Sequence, residues 1–252
     1  MQKALAGKVA LVTGGSRGLG AAIARALAEQ GADVAISYVA SVEKAEAVVA
    51  SLKAQGVRAL AIRSDQADTA AARPMVDEVL AHFGHLDILV NNAAIAVQGK
   101  TVDDPGLDTV SLDRQWQVNV LGAVATTRAA APLLSDGGRI IFIGSLLGSR
   151  VPFPGAADYA GTKAAIAGYA RGVARDLGPR DITVNTIQPG VMPTDMSAEV
   201  LGNGVPPALM DLHPIRRIAT LEEVAAAACF LAGPHGGYIT GSVIDVAGGL
   251  GV

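Results

Sequence analysis

The sequence is poor in charge, in aromatic residues and in cysteine. Charged residues make up 17% and aromatic residues 4% of its 252 residues, and the formal net charge is −3. Because no Lys/Arg-rich block accompanies this slightly acidic balance, the chain lacks the electrostatic footprint of a nucleic-acid-binding protein, and no nucleic-acid partner is expected. The single Cys229 cannot form an internal disulfide, and its apolar neighbours predict an inert core thiol rather than a nucleophile.

Long hydrophobic runs are missing too. No uninterrupted apolar stretch reaches the roughly 18 residues that a membrane-spanning helix requires. Residues 1–7 are too few and too polar for the hydrophobic region of a secretory signal. We therefore expect a cytoplasmic protein with no membrane partner. No metal site is expected either, because the four histidines show no ligand spacing: His82, His85, His213 and His235.

Apolar runs of strand length alternate with segments of helical period along the whole chain. This alternation is typical of repeated βαβ units around a buried parallel sheet. We expect one Rossmann-type α/β domain over residues 1–252, a doubly wound sheet of seven parallel strands with helices on both faces. The predicted strands are 8–13, 33–37, 57–63, 86–91, 139–144, 183–188 and 242–246. The principal predicted helices are 42–55, 69–83, 111–134, 158–177, 221–231 and a first helix that ends near residue 30.

One segment, 192–217, is rich in Pro, Gly and Met and has no clean period. Because it follows a strand in this architecture, we expect a mobile lid over the functional site.

A glycine-rich turn, Thr13-Gly-Gly-Ser-Arg-Gly-Leu-Gly20, lies between the first strand and the first helix. Glycines there let the backbone approach a pyrophosphate, whose charge is favoured by the N-terminus of the helix. A tight turn without a ligand would also explain the glycines. No acidic residue follows the second strand before Glu43, where many NAD enzymes of this architecture hold the ribose 2′-hydroxyl.

The absence of that carboxylate, together with Arg17 in the turn, favours NADP(H) over NAD(H) as the cofactor. Arg17 could instead be an ordinary solvated charge. Asp65, just after the third strand, could cap the following turn or bind the adenine amino group.

Tyr159 and Lys163 are four residues apart on a predicted helix and so share one face. An ammonium beside a phenol lowers the pKa of the phenol toward the range useful for acid–base chemistry. The Tyr-x-x-x-Lys spacing is common by itself. It gains weight here from Ser145 at the end of the fifth strand and from Asn119 in the preceding long helix.

Taken in order, these motifs resemble the classical short-chain dehydrogenase/reductase family over essentially the whole chain, in its branch of carbonyl reductases and 3-oxoacyl-carrier-protein reductases. The matching motifs are the turn Thr13–Gly20, Asp65, Asn91-Asn-Ala-Ala94, Asn119-Val-Leu-Gly122, Ser145, Tyr159-Ala-Gly-Thr-Lys163, and Pro189-Gly190 with Thr194.

The resemblance implies four catalytic residues. Tyr159 would exchange a proton with the substrate oxygen, Ser145 would hydrogen-bond that oxygen, and Lys163 would hold the nicotinamide ribose. Asn119 would anchor a water of the proton relay, and Asn91 would steady the central sheet. The turn and the resemblance together give the predicted cofactor-binding residues: Gly14, Ser16, Arg17, Gly18, Leu19, Gly20, Tyr38, Ser41, Asp65, Gln66, Asn92, Ala93, Tyr159, Lys163, Pro189, Gly190, Val191 and Thr194.

Two departures from the family pattern concern the site. Ala94 replaces the usual glycine, which adds a methyl group near the cofactor. Ser145 precedes Tyr159 by fourteen residues, one more than is usual, so the loop 146–158 is expected to reshape the substrate wall. Ser149, within that loop, is the alternative for the serine role.

We expect an NADPH-dependent carbonyl reductase or alcohol dehydrogenase that acts on a small or medium ketone and forms a homotetramer or homodimer, as family members do. A 3-oxoacyl-carrier-protein reductase is the alternative within enzymes. It would need basic residues at the site entrance, and the candidates are Arg150, Arg216 and Arg217. The stretch 138–194 also resembles the cyclic-di-GMP-binding biofilm-dispersal members, so a second-messenger-binding regulator is a further alternative.

Overall fold

Seven parallel strands form the central sheet of the computed structural model, which describes residues 3–201 and 204–252. The strands are β1 Val9–Val12, β2 Asp33–Tyr38, β3 Ala59–Arg63, β4 Ile88–Asn91, β5 Arg139–Ile143, β6 Thr183–Pro189 and β7 Val243–Val246. Their order is β3-β2-β1-β4-β5-β6-β7, and each neighbouring pair is parallel. The predicted doubly wound Rossmann-type sheet is therefore confirmed.

Helices cover both faces of this sheet. They are α1 Gly18–Glu29, α2 Val42–Lys53, α3 Ala72–Phe83, α4 Thr109–Trp116, α5 Ala123–Ala130, α6 Ala157–Leu177, α7 Asp195–Leu201, α8 Pro207–Asp211 and α9 Leu221–Ala232. Within residues 3–201 and 204–252, no helix combines the length and the hydrophobicity needed to cross a bilayer.

Two apolar layers form because successive side chains of a strand point to opposite faces. In β1, Ala10 and Val12 pack in one layer with side chains of α1 and α9. Val9 and Leu11 pack in the other layer with side chains of α3 and α6. All four β1 residues are buried, which explains why this strand is apolar throughout rather than alternating.

The predicted long helix 111–134 is wrong as a single element. The structure divides it into α4, a π-helical segment Gln117–Gly122, and α5. A Cβ at Gly122 would overlap the carbonyl oxygen of Gln66, so the helix lies directly against the loop that follows β3. The helix also ends earlier than predicted, at Ala130, because Pro132 has no N–H to donate to the next helical hydrogen bond.

The segment 192–217, predicted as a lid without regular period, holds the short helices α7 and α8. Gly202 and Asn203 within it lie outside the described residues. Leu209 of α8 packs on a small apolar cluster with Leu146 and Leu250, so the segment rests against the loop after β5 and the end of the chain. Its mobility stays a prediction.

Replacing Gly122 with alanine should destabilise the protein. The added methyl cannot be accommodated without moving the backbone at Gln66, and overpacking of this kind costs about 1–3 kcal/mol. Urea unfolding followed by circular dichroism measures the loss. Gly168→Ala is the matched control: Gly168 is exposed in α6 with open space around it, so alanine there should leave stability unchanged or slightly raised. Equal stability of the two variants would contradict the close contact.

Candidate active site

A cavity of about 520 Å³ opens at the carboxyl ends of the strands. Ligands of open α/β sheets bind in this position, where the strand order reverses. The wall includes most of the predicted cofactor residues: Gly14, Ser16, Arg17, Gly18, Leu19, Gly20, Tyr38, Ser41, Asp65, Gln66, Asn92, Ala93, Tyr159, Lys163, Pro189, Gly190 and Thr194. Val191 lies instead in the wall of a smaller adjoining pocket.

The glycine-rich turn is fixed to the end of β4. Gly14 has a φ of +65°, and a Cβ on it would lie 2.9 Å from the Cα of Ala93. The hydroxyl of Thr13 accepts hydrogen bonds from the backbone N–H groups of Asn92 and Ala93, each at 3.0 Å. Only a residue without a side chain fits at position 14, so the turn presents bare backbone to the cavity.

One uncharged residue near the end of β2 supports the shape of the turn. The Ser37 hydroxyl accepts a hydrogen bond from the N–H of Gly14 at 3.2 Å. Tyr38 and Ser41 continue the wall of the cavity beyond Ser37. This part of the wall carries no carboxylate among residues 37–41, as the sequence predicted.

Arg17 is neither free nor simply solvated. Its Nη1 lies 3.1 Å from the carboxylate of Asp195, the first residue of α7. Lys44 of α2 lies 3.8 Å from the same carboxylate oxygen. The basic residue of the turn is therefore engaged with the segment that was predicted as a lid.

Asp65 combines one observed role with one that stays a prediction. Its carboxylate accepts a hydrogen bond from the N–H of Ala67 at 3.0 Å, so it does cap the following turn. It also receives Arg114 Nη2 at 2.8 and 2.9 Å, and this guanidinium holds the pKa of the carboxyl below its usual range. Contact with an adenine amino group would have to share the carboxylate with Arg114.

Tyr159 and Lys163 lie side by side on α6, with both side chains buried. Tyr159 is 8% exposed and Lys163 is 3% exposed. The Lys163 Nζ donates a hydrogen bond to the carbonyl of Ile143 at 3.0 Å and lies 5.6 Å from the centre of the Tyr159 ring. Ser145, immediately after β5, faces the same cavity, so three of the predicted catalytic residues meet in one wall.

Burial shifts the pKa values of both Tyr159 and Lys163. It raises the pKa of Tyr159 to about 12, although a hydrogen bond with Ser145 acts in the opposite direction. It lowers the pKa of Lys163 to about 8. The expected lowering of the Tyr159 pKa by Lys163 is therefore not seen, since desolvation of the phenolate is the larger effect. A phenol of this kind keeps its proton at neutral pH.

Asn119 does not line the cavity, but its hydrogen bonds join the segment after β4 to α6. Its side-chain oxygen accepts from the N–H of Ile95, and its amide donates to the carbonyl of Ile95, both at 2.9 Å. The second amide hydrogen points to the hydroxyl of Thr162 at 3.2 Å, and that hydroxyl donates to the carbonyl of Tyr159. Both amide hydrogens are committed to these contacts, and the contact with a relay water stays a prediction.

Ser149 is the weaker candidate for the serine role. Its hydroxyl donates a hydrogen bond to the side-chain oxygen of Gln188 at 2.9 Å, and it does not line the cavity. Ser145 begins a single 3-10 turn, Leu146–Gly148, and its Oγ accepts from the N–H of Leu147. The extra residue of this loop is thus taken up beyond Ser145, which keeps its place in the wall.

Asn91 does not line the cavity. Its amide donates to the hydroxyl of Thr127 at 3.1 Å, which links β4 to α5, in agreement with the implied steadying role. The sequence reasoning missed Arg114 and Val118, which do line the cavity, and it included Met192, Asp195, Met196 and Ser197 only as part of the predicted lid 192–217. Neither Arg114 nor Asp195 could be assigned to the site from the sequence. Their ion-pair partners, Asp65 and Arg17, are distant in sequence and come close only in the folded chain.

Comparison with known proteins places this geometry in a family. A family model described as enoyl-(acyl carrier protein) reductase matches residues 14–251. A solved short-chain dehydrogenase from Burkholderia cenocepacia, in complex with NADP, is 47% identical, with a TM-score of 0.93 over 99% of this chain and 100% of that one. The chain belongs to the short-chain dehydrogenase/reductase family. This short-chain dehydrogenase/reductase is accordingly an oxidoreductase, and the neighbour's ligand agrees with the predicted preference for NADP(H).

Two curated relatives of this short-chain dehydrogenase/reductase carry different names. The cyclic-di-GMP-binding biofilm dispersal mediator protein of Escherichia coli is 40% identical over 98% of this chain and 99% of its own length. Versicolorin reductase 1 of Aspergillus parasiticus is 40% identical over 97% of both chains. The family is therefore established, whereas these relatives differ in what they bind or transform.

The buried amine of this short-chain dehydrogenase/reductase should make its stability depend on pH. The folded-state pKa of Lys163, about 8, lies below the ordinary 10.5, so the unfolded chain holds the extra proton between these values. The cost of burial is full below pH 8 and disappears as the pH rises toward 10.5. Lys163→Met, which keeps the length without the charge, should exceed the wild type in stability by about 1–3 kcal/mol at pH 7.

Urea unfolding of both proteins at pH 7, 8, 9 and 10 measures this difference, which should shrink at each step above pH 8. Lys53→Met, at an exposed lysine of α2, is the control and should show no such trend. A difference between Lys163→Met and the wild type that stays constant from pH 7 to 10 would show that the ammonium is not destabilised by burial.

Proposed function

We propose that this chain is an NADPH-dependent carbonyl reductase that transfers hydride to the carbonyl carbon of a small, neutral ketone, with Tyr159 as the proton donor. One observation carries the proposal: Ser145 and Tyr159 line both the large cavity and the smaller pocket beside it. A cofactor in the first and a substrate in the second would meet at these two hydroxyl groups.

The residues of the large cavity fit a dinucleotide phosphate. The glycine turn brings bare backbone and the N-terminus of α1 to the wall, which suits a pyrophosphate. Arg17 and Lys44 lie near the uncharged segment 37–41, where a 2′-phosphate would meet cations and no carboxylate of that segment. This fit, together with the NADP of the Burkholderia neighbour, supports NADP(H) over NAD(H).

Bound NADPH would supply the hydride, which adds to the carbonyl carbon while the carbon–oxygen π electrons move to oxygen. The Tyr159 hydroxyl then gives its proton to that oxygen, and the Ser145 hydroxyl donates a hydrogen bond to it. Because the pKa of Tyr159 is raised to about 12, the phenol is fully protonated before the reaction. Lys163, with a pKa near 8, can return a proton to the phenolate at neutral pH.

The smaller pocket, of about 110 Å³, supports a neutral substrate. Its wall consists mainly of apolar side chains, and none of the described residues that line it is charged. The members beyond Ser145 and Tyr159 are Ala96, Gln98, Leu146, Leu147, Phe153, Pro189, Gly190, Val191, Met196, Ser197, Leu209 and Leu250. A buried carboxylate would find no cationic partner here, which makes its binding costly.

The alternative of a 3-oxoacyl-carrier-protein reductase finds less support. An acidic carrier would need a cluster of unpaired cations near the entrance, yet each of the three candidates already contacts an acceptor within the chain, although Arg216 and Arg217 stay more than half exposed. Arg150 donates to the carbonyls of Leu250 and Val252, and Arg216 lies 3.7 Å from Asp211. Arg217 forms a two-point ion pair with a glutamate of α9 at 2.5 and 2.8 Å.

The proposal also includes assembly into a homotetramer or homodimer. Its support is the exposed apolar surface near α9 and the following turn, where Phe230 is 49% exposed and Tyr238 is fully exposed. Exposed apolar side chains mark subunit contacts where they form one continuous patch.

Tyr159→Phe should abolish ketone reduction while leaving NADPH binding intact, because the ring stays and only the proton donor is removed. We expect a loss in kcat of at least about 100-fold, the scale of a general acid. NADPH consumption with a panel of neutral ketones measures turnover, and fluorescence titration measures cofactor binding.

Tyr169→Phe is the matched control for that variant. Tyr169 lies on the same helix, half-buried and edge-on to Phe142, and does not line the cavity, so its variant should keep wild-type turnover. Full activity of Tyr159→Phe would refute the assigned proton donor. No turnover by the wild type, together with tight cyclic-di-GMP binding, would favour the regulatory alternative.

The uncharged pocket should discriminate between substrates of equal size. Acetoacetamide should be reduced with a kcat/KM at least about 100-fold higher than acetoacetate, because only the second buries a carboxylate without a partner. Steady-state kinetics at pH 7 with both compounds provides the comparison. Similar values for the two would mean that the reacting ketone does not enter this pocket.

A further inference from the structure

The charged residues in the wall of the large cavity are arranged as pairs. Among the described residues, this wall contains the acids Asp65 and Asp195 and the cations Arg17, Arg114 and Lys163. Arg114 is bound to Asp65 and Arg17 to Asp195, while Lys163 is buried against a backbone carbonyl. A phosphate that uses Arg17 must therefore compete with a carboxylate that already holds it.

Asp195 joins three elements at this point. Its Oδ2 lies 3.1 Å from Arg17 at the N-terminus of α1 and 3.8 Å from Lys44 of α2, and it is itself the first residue of α7. Thr194, the residue before Asp195, also lies close to the turn, since a Cβ at Gly18 would lie 3.7 Å from its methyl. The three charged side chains are more than half exposed, so the pairs are exchangeable rather than locked.

A 2′-phosphate and the Asp195 carboxylate make opposite demands on these cations. The phosphate carries up to two negative charges and prefers the planar guanidinium of Arg17 in a charge-assisted hydrogen bond. A carboxylate held at the same guanidinium would repel it. A ribose with a free 2′-hydroxyl carries no charge and leaves the existing ion pairs undisturbed.

The residues next to Asp195 connect this competition to the substrate. Met196 and Ser197 line both the large cavity and the smaller pocket. Thr194 caps the start of the same helix, with its hydroxyl accepting from the N–H of Ser197 at 3.1 Å. Any change in how Asp195 is held therefore acts on the first turn of α7, which forms part of the substrate wall.

We propose that Asp195 is a cofactor-discriminating residue: the 2′-phosphate of NADP(H) displaces its carboxylate from Arg17 and Lys44, and this releases the first turn of α7 beside the substrate pocket. NAD(H), which lacks the 2′-phosphate, leaves the Asp195 carboxylate paired with Arg17 and Lys44, so the first turn of α7 stays held. The inference rests on the NADP(H) specificity of the proposed function and adds the residue that opposes the phosphate.

The test compares 2′,5′-ADP with 5′-AMP as probes, so that only the 2′-phosphate differs and no turnover is needed. In Asp195→Asn, which keeps the shape without the charge, 2′,5′-ADP should bind about two- to fivefold more tightly than to the wild type, and 5′-AMP should bind unchanged. Isothermal titration calorimetry at low ionic strength measures both affinities. Asp211→Asn, at a carboxylate of α8 that pairs with Arg216, is the control and should change neither.

Amide hydrogen exchange provides the second readout. In the wild type, 2′,5′-ADP should speed exchange in the first turn of α7 relative to 5′-AMP. In Asp195→Asn, the two probes should give the same exchange there. Asp195→Ser, also uncharged, should reproduce the Asn variant, which guards against an effect peculiar to one side chain.

The outcomes separate the inference from the proposed function. A wild type that binds 2′,5′-ADP no better than 5′-AMP would contradict the NADP(H) specificity itself. A wild type that prefers 2′,5′-ADP, with unchanged or weaker binding of this probe to both Asp195 variants, would leave that specificity in place and overturn the role of Asp195. Identical exchange of α7 with the two probes in the wild type would overturn the release.

Discussion

The candidate active site depends on the burial of the Lys163 amine and the Tyr159 phenol side by side. Lys163 is held by the carbonyl at the end of β5, and Tyr159 lies one helical turn before it on α6. Neither side chain would be stable there without the apolar face of the same helix, where Ile166 and Ala170 pack on the sheet. The free energy gained along the 21 residues of α6 offsets the cost of burying two groups that water would solvate better.

The sheet and most of its strands could be predicted from the sequence because buried parallel strands are continuous apolar runs. The predicted limits agree with the structure to within two residues, as in β2 and β6. The π-helical segment within the predicted helix 111–134 was not foreseen, and neither was its close approach to the Gln66 carbonyl at Gly122. The periodicity of a sequence indicates which face of a helix is apolar, but it does not indicate which other segment packs against that helix.

The candidate site was predictable where a motif is local and not where a contact is distant. The glycine turn, Tyr159 and Lys163 were identified because their chemistry follows from short spacings. The pair of Arg17 and Asp195 is separated by 178 residues, and that of Arg114 and Asp65 by 49. The direction of the Tyr159 pKa shift was wrong for a related reason: spacing indicates a nearby charge, whereas the extent of burial is a property of the whole fold.

The two hydroxyl groups shared by the cavity and the pocket lie on α6 and just after β5, whereas much of the rest of the pocket wall comes from segments outside the sheet. Phe153 belongs to the loop before α6, Leu209 to α8, and Leu250 to the segment after β7. Surface segments of this kind tolerate sequence change better than a packed sheet does. New substrate preferences can therefore arise from drift or engineering in these segments alone, with the proton donor and its support inherited unaltered.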